Sequence, residues 1–337
     1  MWYIIILLII LSIIIWIFIR KPQQKFIAVG NGDTALAISY DGEKWDPIDG
    51  VFGSNTIGTC FAIVRGNGRW VAVGNDGDDE GNNIWYSDDG ENWNNASSTE
   101  EDDNGVFGNA HNSSGKDVLY ADNLWVCVGV DGTDYTRCIW WSENGTEWTA
   151  AIGDNFGEDE NMDALVVKYN DGIWLVGGSC GDDEGSPILW SEDGMEWYSS
   201  DFPDIDLFPA VIDLEYNDGI WIAIGYNEDG ACVWYSKDNG ESWCMASFPS
   251  LSSIEKVKFS KDKFYAYGKE DSISSLDGET WMRDEFKNDS IIYGNRKYVS
   301  FGKEDNNILC STDGNKWKTN IDQPFGNSAY LYGLVYG

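Results

Sequence analysis

Basic residues are scarce in this chain: 22 Lys and Arg stand against 57 Asp and Glu, a formal charge of -35. The basic footprint that phosphate binding needs is missing, so no nucleic acid partner is expected, while a cationic protein surface stays open as one. The same acidity also serves to keep a surface rich in aromatics soluble and monomeric. There is a single histidine, His111, in a Ser/Asn loop, which leaves His-dependent catalysis without a candidate. The seven cysteines, Cys60, Cys127, Cys138, Cys180, Cys232, Cys244 and Cys310, are far apart and form no CxxC pair. With one histidine to join them they offer no zinc site, and their odd number argues for free, strand-buried thiols rather than a stapled scaffold. No Gly-rich phosphate loop is present, so no cofactor is implied, and the metal expectation is likewise none.

Long apolar runs are also rare, with one exception. Residues 2–19 are apolar except for Ser12, and at 1.5 Å per residue they make a helix of about 27 Å, close to the hydrocarbon thickness of a bilayer. No Lys or Arg precedes the run and no small-residue cleavage pattern follows it, so it reads as a retained transmembrane anchor rather than a signal peptide. Arg20, Lys21 and Lys25 lie on its C-terminal side, which by the positive-inside tendency puts the remaining chain on the cytoplasmic face of a single-pass protein. The expected division is an anchor over residues 1–19, a linker over 20–25 and a β domain over 26–337.

What the sequence has in abundance is Gly (38), Trp (18) and Tyr (17), a mixture suited to many short strands joined by tight turns. Two motifs recur. The first is an aromatic-led strand ending in Gly: FIAVG from Phe26, WVAVG from Trp70, WVCVG from Trp125, WLVGG from Trp174, WIAIG from Trp221, FYAYG from Phe264 and YVSFG from Tyr298. The second is a Ser-led turn ending in Trp. Its Ser, acidic or Asn, Gly and Trp positions are Ser39, Asp41, Gly42 and Trp45; Ser87, Asp89, Gly90 and Trp93; Ser142, Asn144, Gly145 and Trp148; and Ser191, Asp193, Gly194 and Trp197. The later copies are Ser236, Asp238, Gly240 and Trp243; Ser275, Asp277, Gly278 and Trp281; and Ser311, Asp313, Gly314 and Trp317.

A short apolar strand precedes the first motif in each unit, as in Phe61 to Arg65 or Val211 to Tyr216, joined through Asn/Asp-Gly turns. Units of four strands at this spacing predict an all-β, seven-bladed β-propeller, with a solenoid as the alternative. The chain ends favour the ring. The first unit lacks its leading strand, and residues 331–336 supply one, so that the C-terminal strand closes blade 1 and removes free edges.

The Ser-led turns resemble the Asp-box, or bacterial neuraminidase repeat, whose pattern is S-x-D-x-G-x-T-W. SKDNGESW from Ser236 has that spacing, and the other six are one residue shorter. The resemblance implies a sialidase-like superfamily at the level of the repeat. In physical terms the Asp carboxylate accepts N–H bonds inside its own turn, Gly supplies positive φ and Trp packs into the blade, so these residues read as hairpin locks with no catalytic residue among them. A sialidase would also need three converging arginines. Arg65, Arg69 and Arg296 fall near the hairpins on the same side as the Ser-led turns and only Arg137 and Arg283 reach the other side, so three cannot converge there. The bias toward Ile, Asn, Asp and Lys, with the anchor, is similar to repeat-propeller proteins of large DNA viruses of protists, which implies a virion-associated location.

If the locked turns define one face of the ring, the opposite face is acidic. Its candidate binding residues are Asp76, Asp78, Asp79, Glu80, Asp131, Asp134, Asp182, Asp183, Glu184, Glu228 and Asp229. The expectation is a membrane-anchored, non-catalytic interaction or scaffolding module that docks a basic protein partner on this face. The alternative is a glycan-binding or glycan-cleaving propeller.

Overall fold

The computed structural model describes residues 24–337 apart from 54–57, 78–80, 101–104, 111, 133, 135, 158–161, 181–184, 204–208, 285–290, 302–306, 320–323 and 327–329. The expected anchor over residues 2–19 lies outside the described residues. Among those described, every regular element is a β-strand, and no helix is long and apolar enough to cross a membrane.

The strands form four-stranded antiparallel meanders that follow one another along the chain. The second runs through Thr59–Gly66, Arg69–Asn75, Ile84–Ser87 and Asn94–Asn95. The third runs through Ser114–Ala121, Leu124–Val130, Ile139–Ser142 and Glu147–Ala150. The fourth and fifth begin with Asp163–Asn170 and Ala210–Asn217, the sixth with Lys256–Ser260 and the seventh with Ile292–Gly294. The hairpin after each of these strands is tight because its two central residues take positive φ, as in Asn67-Gly68 (48° and 82°) and Asp218-Gly219 (48° and 83°).

The first meander is assembled from both chain ends. Leu331–Tyr336 pairs antiparallel with Phe26–Gly30, which continues to Leu36–Ser39 and Asp46–Ile48. Pairing extends one residue further than the sequence reading placed it: Lys25, assigned above to the linker, exchanges N–H···O bonds of 3.0 Å with Gly337 in both directions. Its side chain is buried and donates to Asp89 O (2.6 Å) and Glu91 Oε1 (2.8 Å) of the second meander. Lys25 is therefore part of the closure rather than a tether.

Among the described residues the apolar clusters lie between meanders rather than within one. Each apolar cluster joins two successive meanders: Val71, Val73 and Ile84 of the second pack against Val118, Trp125 and Trp140 of the third, and Phe26, Ala28 and Trp45 of the first pack against Val299 and Ile308 of the seventh. Trp70, Trp125, Trp148, Trp174, Trp197 and Trp221 are all under 2% exposed in these seams. Burying a large apolar side chain is worth on the order of 2–3 kcal/mol. A single meander would leave those faces wet. The outer rim is stitched as well, because the chain leaving one meander pairs in parallel with the last strand of the next: Ile152 N donates to Met195 O and Asp154 N to Trp197 O (2.9 and 2.8 Å).

The Ser-led turns share one bonding scheme. In the fourth, Ser191 Oγ donates to Asp193 Oδ1 (3.1 Å) and accepts Gly194 N–H (2.8 Å), while Met195 N and Glu196 N donate to Asp193 Oδ1 (2.8 and 3.0 Å). Gly194 takes φ of 75°, and Trp197 Nε1 returns a bond to Gly194 O. Asn144 occupies the acceptor position of the third turn with the same bonds from Thr146 N and Glu147 N. Burial pushes the Asp193 carboxyl up, but the N–H donors of Glu196 and Met195 outweigh it and hold the group below the ordinary Asp range. A depressed folded pKa means that the stabilisation is present above the unfolded value of about 3.9 and is lost as pH falls through the folded one. Asp193→Ala is expected to cost about 1 kcal/mol at pH 7 in urea denaturation. Asp193→Asn, which reproduces the third turn, is expected to fold with nearly wild-type stability and to lack this turn's share of the acid destabilisation.

Candidate functional site: the axial cavity

The first strands of the meanders stand side by side around a common axis: Leu331–Tyr336 beside Thr59–Gly66, then Ser114–Ala121, Asp163–Asn170, Ala210–Asn217 and Lys256–Ser260, with Ile292–Gly294 on the other side of Leu331–Tyr336. Five of these inner strands carry a β-bulge near their start, seen as register shifts between Cys60 and Ala62, Ala164 and Val166, and Val211 and Asp213, with matching shifts opposite Gly129 and Gly30. The extra residue at each bulge is Phe61, Leu165, Ile212, Lys116 or Tyr332. All five line a single cavity of about 800 Å³ on the axis.

The glycine that ends the aromatic-led strand motif permits this bulge. A Cβ on Gly225 would lie 1.8 Å from Ala210 O, and one on Gly74 would lie 1.9 Å from Thr59 O, so the inner strand's carbonyl occupies the space a side chain would fill. The repeated Gly is thus a sequence mark of the cavity wall.

Beyond the bulges the wall is charged. Asp213 is 4% exposed, accepting Leu214 N and, from the next meander, Val257 N (both 3.1 Å). Asp117, one position past its own bulge like Asp213, makes the same clasp two meanders earlier, accepting Val118 N (2.9 Å) and Val167 N (3.1 Å) of the next inner strand. Lys168 Nζ and Lys256 Nζ each stand 3.9 Å from an Asp213 oxygen. Burial pushes the Asp117 and Glu215 carboxyls up. Burial also presses Lys168 down, but Asp213, Asp117 and Glu215 together outweigh it and hold the ammonium above the usual lysine range. Lys116 is pulled down by burial, against a weaker pull from Asp163.

The bulge layer of the cavity lies toward the acidic loops. Each inner strand's first residues pair with the last residues of the second strand, Thr59 with Asn75 and Ala210 with Tyr226, so the bulges lie at the end from which the candidate loops leave. Those loops are placed in part: Asp78, Asp79, Glu80, Asp182, Asp183 and Glu184 lie outside the described residues. Asp76 and Asp131 are 3% and 2% exposed and face inward, with Asp76 Oδ2 accepting Asn82 N (2.9 Å) and Asp131 Oδ1 accepting Asp134 N (3.0 Å). They build their loops and do not form part of a docking surface, which corrects their place in the candidate face. Asp134 pairs with Arg137 (3.0 Å). Glu228 and Asp229 are exposed at the Asn227 turn. The arginines are dispersed: Arg69 pairs with Asp88, Arg137 with Asp134 and Arg283 with Asp271, while Arg65 stacks on Trp70.

Sequence reasoning missed the charged layer altogether. Its one local signal was the placement of Lys116-Asp117, Asp213, Glu215, Lys256 and Lys258 inside strands that otherwise alternate apolar residues.

No family model matches the chain, and no curated protein matches it. Solved structures do. YCF48 from Cyanidioschyzon merolae is similar over 83% of this chain and 90% of its own at 13% identity, with a TM-score of 0.51. The extracellular domain of BT4673 from B. thetaiotaomicron is similar over 86% of this chain at 8% identity, also with a TM-score of 0.51, and this chain spans 40% of its length. Both are β-propellers, and the fold of this chain is a β-propeller.

Two substitutions test the wall. Gly225→Ala is expected to lower stability by about 2 kcal/mol in chemical denaturation, since a methyl would meet a backbone carbonyl. Asp213→Ala strands two buried N–H donors and two lysines and is expected to cost about 2 kcal/mol, with Asp213→Asn losing less.

Proposed function

We propose that the chain is a non-catalytic, seven-bladed propeller of variant Asp-box repeats, tethered to a membrane through residues 2–19 with the propeller on the cytoplasmic side, and that it binds a protein partner at the acidic-loop end of its axis. The observation that carries this reading is the coincidence of the axial cavity and the acidic loops at one end of the inner strands. A partner seated there meets a concave centre with the exposed Glu228 and Asp229 at the same end, charges that steer a basic surface toward it. The opposite end offers turns whose carboxylates already accept their own backbone N–H groups.

Support for a non-catalytic role comes from the carboxylates in and beside the cavity. Asp213 in its wall and Asp117 beside it are held on backbone N–H groups of adjacent strands, a clasping arrangement rather than a pair of acids facing across a substrate. The pairing of Arg69, Arg137 and Arg283 with carboxylates near their own turns runs against a converging carboxylate clamp of the sialidase kind.

The test is affinity capture by the full-length protein carrying Glu228→Lys and Asp229→Lys, beside a control with Glu192→Lys and Glu196→Lys in the locked turns of the other end. A partner retained by wild type and control, and weakened about tenfold by the rim reversal, is the expected result. Unchanged capture after rim reversal removes the reading, and so does turnover of a fluorogenic sialoside.

A further inference from the structure

The cavity has an imbalance between its donors and its acceptors. In a chain with only 22 basic residues and a charge of -35, four lysines, Lys116, Lys168, Lys256 and Lys258, line one cavity. Of its three carboxylates, Asp213 accepts two backbone N–H groups and Glu215 accepts Tyr216 N (3.2 Å), while Glu255 is exposed to solvent. The charge of Lys168 is offset by Asp213, Asp117 and Glu215, while Lys116 has only the weaker pull of Asp163 against its burial. Lys168 and Lys256 reach Asp213 only at 3.9 Å, and among the described residues Lys116 has no carboxylate within ion-pair distance.

Lys116 is the most exposed by this imbalance in energetic terms. It is half-buried at the bulge, and its Nζ lies 4.8 Å from the centre of the Phe61 ring, which packs edge-on against Tyr332 at 5.4 Å. Leu165 and Ile212 complete the same layer of bulge residues. A desolvated cation beside two aromatic rings, reached along the axis of an acidic protein, suits a monoanion with a flat apolar body far better than a dianion, which the surrounding charge would repel. A volume of about 800 Å³ lies within the range of small-ligand sites.

We propose that the axial cavity is a binding site for a carboxylate borne on an apolar or aromatic body, with the carboxylate on Lys116 and the body against Phe61 and Tyr332. The group is supplied either by a small organic acid or by the C-terminal end of a peptide. This deepens the reading of the channel mouth as the binding end, and it fails separately: partner capture responds to the rim, acid binding to the cavity.

The experiment is calorimetric titration of the full-length protein at pH 7 with 3-phenylpropionate, with the tripeptide Gly-Gly-Phe and with the same tripeptide as its amide. The expected result is binding of at least one free acid, weakened about tenfold or more in the amide and in Lys116→Met. Binding of phenylpropionate assigns the small acid as sufficient, and binding of the tripeptide alone assigns the chain end. Because Lys116→Met could disturb the wall, the Lys116 Nζ titration is followed by NMR in wild type, where a bound carboxylate raises it from its depressed value. Equal binding of acid and amide overturns the proposal. So does acid binding that leaves the Lys116 titration unmoved, or no binding of either acid up to about 10 mM.

Discussion

Burial of the seams between neighbouring meanders is the interaction on which everything else in this propeller depends. Among the described residues the meanders present Trp and Val faces that pack against neighbouring meanders, as Leu175 and Ile188 do against Val211 and Trp221. Stability is therefore shared around the axis, and the chain ends become critical. Pairing of Phe26–Gly30 with Leu331–Tyr336, and of Lys25 with Gly337, joins the first residues of the domain to the last and covers what would otherwise be two open edges. Lys25 adds a buried contact to the second meander through Glu91, so one residue locks the closure in two directions.

The axis is a consequence of that arrangement rather than a separate feature. Inner strands that pack side by side around a centre cannot all converge fully, and the bulges push one extra side chain from each of five strands into the remaining space. Glycine on the neighbouring strand makes room for the displaced carbonyl. The wall that results is aromatic and apolar at the bulge layer and charged beyond it, and its two Asp clasps, Asp117 to Val167 and Asp213 to Val257, hold adjacent inner strands together with backbone bonds. Asp213 thus serves the seam and lines the cavity at once.

Much of the fold was legible because its rules are local. The Ser-Asp-Gly-Trp turns close within four or five residues, the Asn/Asp-Gly hairpins need only two positive φ angles, and alternation of apolar residues marks the strands between them. The amino acids at those positions determine the structure without reference to the rest of the chain, and the incomplete first unit with its spare C-terminal strand pointed to how the ends meet. The candidate face was less legible. Asp76 and Asp131 look identical to surface carboxylates in sequence, but the loops turn them inward to accept N–H groups at Asn82 and Asp134.

The sequence by itself determined the repeated turn, the strand pattern and the acidic character of the chain, since each depends on residues close together or on composition alone. Only the tertiary structure decided that Phe61, Lys116, Asp213 and Lys256, drawn from four different meanders, share one cavity, and that its lysines outnumber the carboxylates free to meet them. The physical reason is distance along the chain: the charges on that wall act on each other through the space the ring encloses, and no local pattern records which meanders will face one another across it.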